Sequence, residues 1–116
     1  MTRQLIGTAK IRNLRRIYRV EGGYEVEHID RRGIAHVNPI PEEAVDRLHT
    51  LCLGETLGAE EAASRLAPYA EELGLPFHYG DKLRFLVQEM LLVLEVQQRL
   101  KKRQQGNRWV YQFIAG

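Results

Sequence analysis

The chain has 116 residues, and that length predicts one domain able to bury a core without a metal or disulfide staple. Hydrophobic residues at 44% and charged residues at 28% lie near globular averages, which excludes wholesale disorder. Net charge is only +2, but residues 1–20 carry +6, residues 96–116 carry +5, and the stretch between them carries −9.

Basic ends around an acidic middle predict a polyanion-binding face, provided that the ends meet in space. The plainer reading is a pair of solvated termini. Near the start, Leu5-Ile6 is interrupted by Gly7 and Thr8, too soon for the apolar core of a signal peptide. The most apolar stretch, Phe85 to Val96, contains Gln88, Glu89 and Glu95 and falls short of a membrane span. The expectation is a cytoplasmic protein with no membrane partner. The single cysteine, Cys52, fits a reducing compartment and sits among Leu48, Leu51 and Leu53, so it reads as a buried core residue.

Residues 1–40 read as a basic, strand-rich region. Residues 8–16 leave strand and helix open, because Ile11, Leu14 and Ile17 fit a helical spacing in a short stretch. "RIYRVEGGYEVEHIDRRGIAHV" then shows turn signals at Gly22-Gly23 and at Asp30-Arg31-Arg32-Gly33 between runs rich in Val, Ile and Tyr. A two-residue Gly22-Gly23 turn would set Arg19 opposite Val26. A three-residue Glu21-Gly22-Gly23 loop sets Val20 opposite Tyr24 and Tyr18 opposite Val26, keeping apolar with apolar, and is preferred on that ground. Val26 then faces Val37, and His28 faces Ala35. The expected core side is Tyr18, Val20, Tyr24, Val26, Ala35 and Val37. Arg19, Glu25, Glu27 and His36 take the other side, which separates His28 from His36.

Residues 41–116 read as mainly helical. Pro41 suits a first helical position, with Glu42 and Glu43 in the favourable first turn, and Gly54 stops the stripe Ala44, Val45, Leu48, Leu51, Cys52. Thr56 is a candidate cap for "TLGAEEAASRL", whose Ala59, Ala62, Ala63 and Leu66 form a small-residue stripe ended by Pro68. Asp81 is a candidate cap for a last helix with apolar Leu83, Leu86, Val87, Met90, Leu91 and Leu94. That helix is either central to the fold or shared in a homodimer through residues 83–94, since its spacing approximates a heptad. Beyond it the chain allows two courses. The helix continues to about Arg103, or it stops near Val96 and residues 98–103 pair with 108–113 around Gln104-Gln105-Gly106-Asn107. Trp109, Val110, Tyr111, Phe113 and Ile114 are strand formers in either case.

"AVDRLHTLCLG", "TLGAEEAASRL", an apolar helix and "RLKKRQQGNRWVYQF", in that order, resemble the winged helix-turn-helix superfamily over about residues 41–114. The resemblance implies a first helix behind a short alanine-rich second, a third helix in the major groove, and a β-hairpin wing on the backbone. Two features depart from it. Pro68 to Gly80 lengthens the helix–helix connection, and the outward residues expected on the last helix, Lys82, Arg84, Gln88, Glu89 and Glu95, include carboxylates that phosphate would repel.

No catalytic constellation is visible, so an enzyme is not expected, and neither is a cofactor. His49 and Cys52 lie three apart on a helix, but two ligands do not make a structural zinc site. His78, between Phe77 and Tyr79, reads as a loop residue. Glu42-Glu43, Glu60-Glu61 and Glu71-Glu72 read as helix-start or surface carboxylates, and Gly22-Gly23 opens no helix, so it is no phosphate loop.

The sequence therefore predicts a single α+β domain over 1–116: an N-terminal antiparallel hairpin or meander, a winged-helix-like helical part and a C-terminal strand. The expected role is a small DNA-binding regulator, DNA being preferred to RNA, which contacts phosphates through Arg12, Arg15, Arg16, Lys101, Lys102, Arg103 and Arg108. Trp109 or Tyr111 would stack on a base if exposed, although both read first as core or strand residues. The competing role is a protein-binding adaptor using the 83–94 helix and the acidic middle.

Overall fold

The computed structural model describes residues 3–11, 13–75 and 80–115. The fold is α+β: a four-stranded antiparallel meander, then helices, then a C-terminal strand hairpin. It divides into two compact units, Met1–Glu42 and Glu43–Gly116.

The first unit is the meander β1 (Gln4–Ile11), β2 (Asn13–Val20), β3 (Gly23–Ile29) and β4 (Ala35–Pro41), paired in chain order. The stretch whose spacing left helix open is thus strand on both sides of residue 12, with an irregularity between Leu5 and Gly7. The β2–β3 loop has two residues, Glu21 and Gly22, not the expected three, and Val20 pairs with Gly23. Backbone geometry decides this against side-chain pairing. Gly22 takes the positive φ of 76° that the tight turn requires, while a Cβ on Gly23 would lie 2.3 Å from the Ile40 carbonyl oxygen, so Gly23 is kept for the close approach of β4.

The two-residue loop turns every β2 side chain over relative to the expected register. Ile17 faces Val26, Arg19 faces Tyr24, and Tyr18 faces Glu25. On β4, Val26 meets Asn38, not Val37, and His28 meets His36, not Ala35. The buried side is therefore Ile17, Tyr24, Val26 and Ile40, whereas Ala35 and Val37 are exposed and Tyr18 and Val20 lie on the opposite face. Only Tyr24 and Val26 of the predicted core side are buried.

The second unit contains α1 (Glu42–Cys52, all but its first residue), β5 (Thr56–Leu57), α2 (Ala59–Leu66), a 3-10 turn (Ala67–Tyr69), α3 (Gly80–Val96), β6 (Leu100–Gln105) and β7 (Arg108–Phe113). Pro41 ends β4, so the first helix begins one residue later than expected. Its stripe Ala44, Val45, Leu48 and Cys52 is buried, and Gly54 at φ 83° turns the chain away. Thr56 pairs with Gln112 in β5 and caps nothing; Gly58 is the N-cap of α2. Ala62, Ala63 and Leu66 are buried, and Pro68 passes the chain from α2 into the 3-10 turn. Since α3 starts at Gly80, Asp81 lies in its first turn and does not precede it. His78, and the aromatic neighbours expected to hold it in a loop, lie outside the described residues.

Helix α3 stops near Val96, the second of the two courses open in the sequence. Gln98 adopts φ 61°, its N–H donates to the Glu95 carbonyl, and Arg99 N–H donates to the Leu94 carbonyl, the paired bonds of a Schellman cap. The chain then enters the hairpin β6–β7, and the three strands order as β5-β7-β6. Leu83, Val87, Met90, Leu91, Leu92, Val93 and Leu94 are buried within the one chain, while Leu86 is half-buried and Phe85 is exposed. Among the described residues, no helix is long and apolar enough to cross a membrane.

Candidate nucleic-acid interface

The hairpin β6–β7 turns on Gly106-Asn107, with Gly106 at φ 62° in the first turn position, where a tight hairpin favours glycine. Its register places Leu100 opposite Phe113, Lys102 opposite Tyr111 and Gln104 opposite Trp109 on one face. Lys101, Arg103, Arg108 and Val110 take the other face. Leu100, Tyr111 and Phe113 are buried, so the base of the hairpin is anchored in the core, and burying Phe113 alone contributes about 2 kcal/mol. Towards the turn no core remains to cover the side chains. Trp109 and Tyr111 both lie on strand β7, as read, but Trp109 is 48% exposed while Tyr111 joins the core. Burial pushes the Tyr111 hydroxyl pKa up, with the Glu95 carboxylate adding to the shift.

The expected phosphate-binding cations divide into three groups. Lys101 and Arg103 are exposed and form no ion pair among the described residues. Lys102 holds its ammonium 4.4 Å from the centroid of the Trp109 ring, a cation–π contact. Arg108, Arg15 and Arg16 are engaged. Arg108 donates to Glu61 Oε1 at 2.7 Å, and the same oxygen accepts Gly58 N–H at 3.2 Å, which ties the hairpin to the start of α2. The Arg108 bond, then the Gly58 bond, hold the Glu61 carboxyl below its ordinary pKa.

In the first unit, Arg16 lies 3.7 Å from Glu27, and Arg15 donates to the Asn13 carbonyl at 3.4 Å. Arg12 lies outside the described residues. Arg3 pairs with Glu25 at 2.9 Å and covers the Tyr18 ring at 3.7 Å, and Arg19 donates to Glu42 at 2.9 Å. Carboxylates of β3 thus lie beside Arg3 and Arg16. The two cationic ends belong to different compact units.

His49 is buried, with Nε2 2.6 Å from the Ile114 carbonyl oxygen and Nδ1 3.3 Å from the Arg99 guanidinium, so both ring nitrogens are engaged. Arg99 also donates to Asp46 at 2.9 Å. Cys52 is buried, and burial pushes its thiol up to about 11, far from a reactive nucleophile at neutral pH. His28 and His36, expected on opposite faces, instead stack with ring centroids 5.0 Å apart and planes at 16°. Asp30 Oδ2 meets His36 Nε2 at 2.8 Å, and Asp30 Oδ1 accepts the N–H groups of Arg32 and Ile34, which closes the β3–β4 loop. Among the described residues, no group of three or more His, Cys, Asp or Glu is placed to hold a metal ion.

On α3, Glu89 is only 6% exposed, so it is not among the outward residues as expected. Phe85 is the exposed large side chain there. An open groove of about 510 Å³ runs between α2 and α3, lined by Glu60, Glu61, Ala63, Ser64, Ala67, Leu83 and Arg84. Comparison of the chain with protein families, characterised proteins and solved structures returns no match.

Proposed function

We propose that this chain is a non-enzymatic nucleic-acid-binding module that contacts phosphates through the β6–β7 hairpin. One observation carries the reading: among the described residues Lys101 and Arg103 have no ion-pair partner, on an exposed hairpin whose neighbouring Lys102 lies against a half-exposed tryptophan. Cations without carboxylate partners retain their counterions, and releasing those counterions is what drives binding to a phosphate backbone. The element order α1–β5–α2–α3–β6–β7, with strand order β5-β7-β6, supports reading residues 41–114 as winged-helix-like, with this hairpin as the wing. The role proposed for it is that of a small DNA-binding regulator acting in the cytoplasm. Glu60 and Glu61 in the lining of the α2–α3 groove favour a contact through the wing over one through α3.

The test is a fluorescence anisotropy titration with labelled DNA at low salt. Binding is expected, and reversing Lys101, Lys102 and Arg103 to glutamate together is expected to weaken it by roughly an order of magnitude or more. Absence of binding to duplex and single strand alike would remove the reading.

One observation favours the adaptor as a second reading, on a different surface. On the meander face opposite Ile17, Lys10 pairs with Leu14 and Ile29 with Ala35, and this row of strands exposes Leu14, Ile29 and Val37. A partner segment with apolar and acidic residues fits that row, and Ile29→Asp should abolish its binding to the intact chain.

A further inference from the structure

Resting on the hairpin interface just described, we infer that its preferred ligand is single-stranded nucleic acid, held by a base stacked on Trp109 and by phosphates along β6. The chain contains one tryptophan, and the fold leaves it half exposed while Val110, Tyr111 and Phe113, its neighbours on the same strand, are buried. An exposed indole with an ammonium 4.4 Å from its centroid is already polarised for a π-stacked partner. A base offers such a face only when it is free of its own stack. Inside a duplex both faces of each base are covered, so Trp109 gains nothing there.

The cations fit the same ligand. Strand β6 is an edge, with β7 as its sheet neighbour, and its cations follow one another at Lys101, Lys102 and Arg103. Side chains two apart on a strand sit roughly 6.6 Å apart along one face, a step comparable with successive phosphates of an extended chain. The hairpin is thin, so Lys101 and Arg103 on one face and Lys102 on the other both reach a strand running along the β6 edge.

Duplex reading through α3 lacks its parts. Base edges are read by forked or bidentate donors at the groove-facing side of a helix. Arg84 instead pairs with Glu60 at 3.3 Å, Phe85 is exposed beside it, and Glu60 and Glu61 line the α2–α3 groove. A site built from one aromatic face and a row of cations is tolerant of sequence, because every base has a π-face.

The experiment compares short fluorescein-labelled oligo(dT) with a duplex of equal length at low salt, using the intact chain and its Trp109→Ala and Trp109→Phe variants. The inference predicts tighter binding of the single strand and quenching of tryptophan emission on binding it. Trp109→Ala should lose about tenfold on oligo(dT) and little on duplex, with Trp109→Phe retaining most of the affinity. Equal or tighter duplex binding, or an equal loss on both ligands in Trp109→Ala, overturns the single-strand preference and leaves the hairpin interface standing. Failure of both ligands to bind overturns the two together.

Discussion

His28 and His36 stack across β3 and β4 at 5.0 Å, with Asp30 held against His36 and Arg15 opposite His28 on β2. Burial first, then Arg15, then His36 lower the His28 pKa below its ordinary value, while Asp30 acts weakly in the other direction. A folded-state imidazole with a lowered pKa binds a proton less readily than the unfolded chain does. Stability should therefore be full above the ordinary imidazole pKa of about 6.5 and fall as pH drops towards the lowered folded value. Urea unfolding at pH 7.5 and pH 5.5 tests this, and His28→Gln should flatten the difference. The Asp30 carboxyl, lowered chiefly by its bond to His36 and then by Ile34 N–H, adds a separate loss only in the acid range below its ordinary pKa.

Gln98 holds a positive φ at the C-terminus of α3, where side chains bearing a Cβ are strained. The Schellman bonds need only backbone. Gln98→Gly should keep the cap and raise stability by roughly 0.5–1 kcal/mol, read as a higher urea midpoint with unchanged slope. A lower midpoint would show that the side chain contributes more than the strain costs.

Cys52 is buried, with its thiol pushed up to about 11. Burial therefore withholds both the thiolate and the access that a reagent needs. A thiol reagent should modify the native chain slowly and the urea-unfolded chain at once. Rapid stoichiometric labelling of folded protein would contradict the buried placement.

The cations of the candidate interface should not be equivalent. Arg108 and Arg16 are held by Glu61 and Glu27, so neutralising either to glutamine should change affinity by about twofold or less. Lys101→Gln and Arg103→Gln should each cost several-fold in the same anisotropy titration. Arg108→Gln has its own readout, since it releases Glu61 from the hairpin and should lower thermal stability slightly.

The helices of the second unit were legible because their signals are local. The stripe from Ala44 to Cys52, the stop at Gly54 and the break at Pro68 need only spacing and backbone chemistry. The C-terminal hairpin was half legible: its second strand is rich in β-formers, while Leu100–Gln105 carries no such bias and is a strand because β7 pairs with it. The meander register was misread because apolar matching was given precedence over the turn. The turn is fixed by which glycine has the positive φ and which lies against the Ile40 carbonyl, and neither property shows in the one-dimensional pattern. That slip hid the His28–His36 stack. Net charge carries no information on partners, so Arg16 and Arg108 look the same in sequence as Lys101 and Arg103. Cross-strand pairing with β3, and the return of β7 past α2, make the distinction.

The most direct test of the hairpin interface is the salt dependence of affinity for oligo(dT), measured for the native chain and for the Lys101→Gln/Arg103→Gln double variant. With about three phosphates neutralised, the plot of log K against log salt should have a slope near −2, and the double variant should lose more than half of it. Binding that persists with an unchanged slope in the double variant, or no binding by the native chain at low salt, would contradict the assignment.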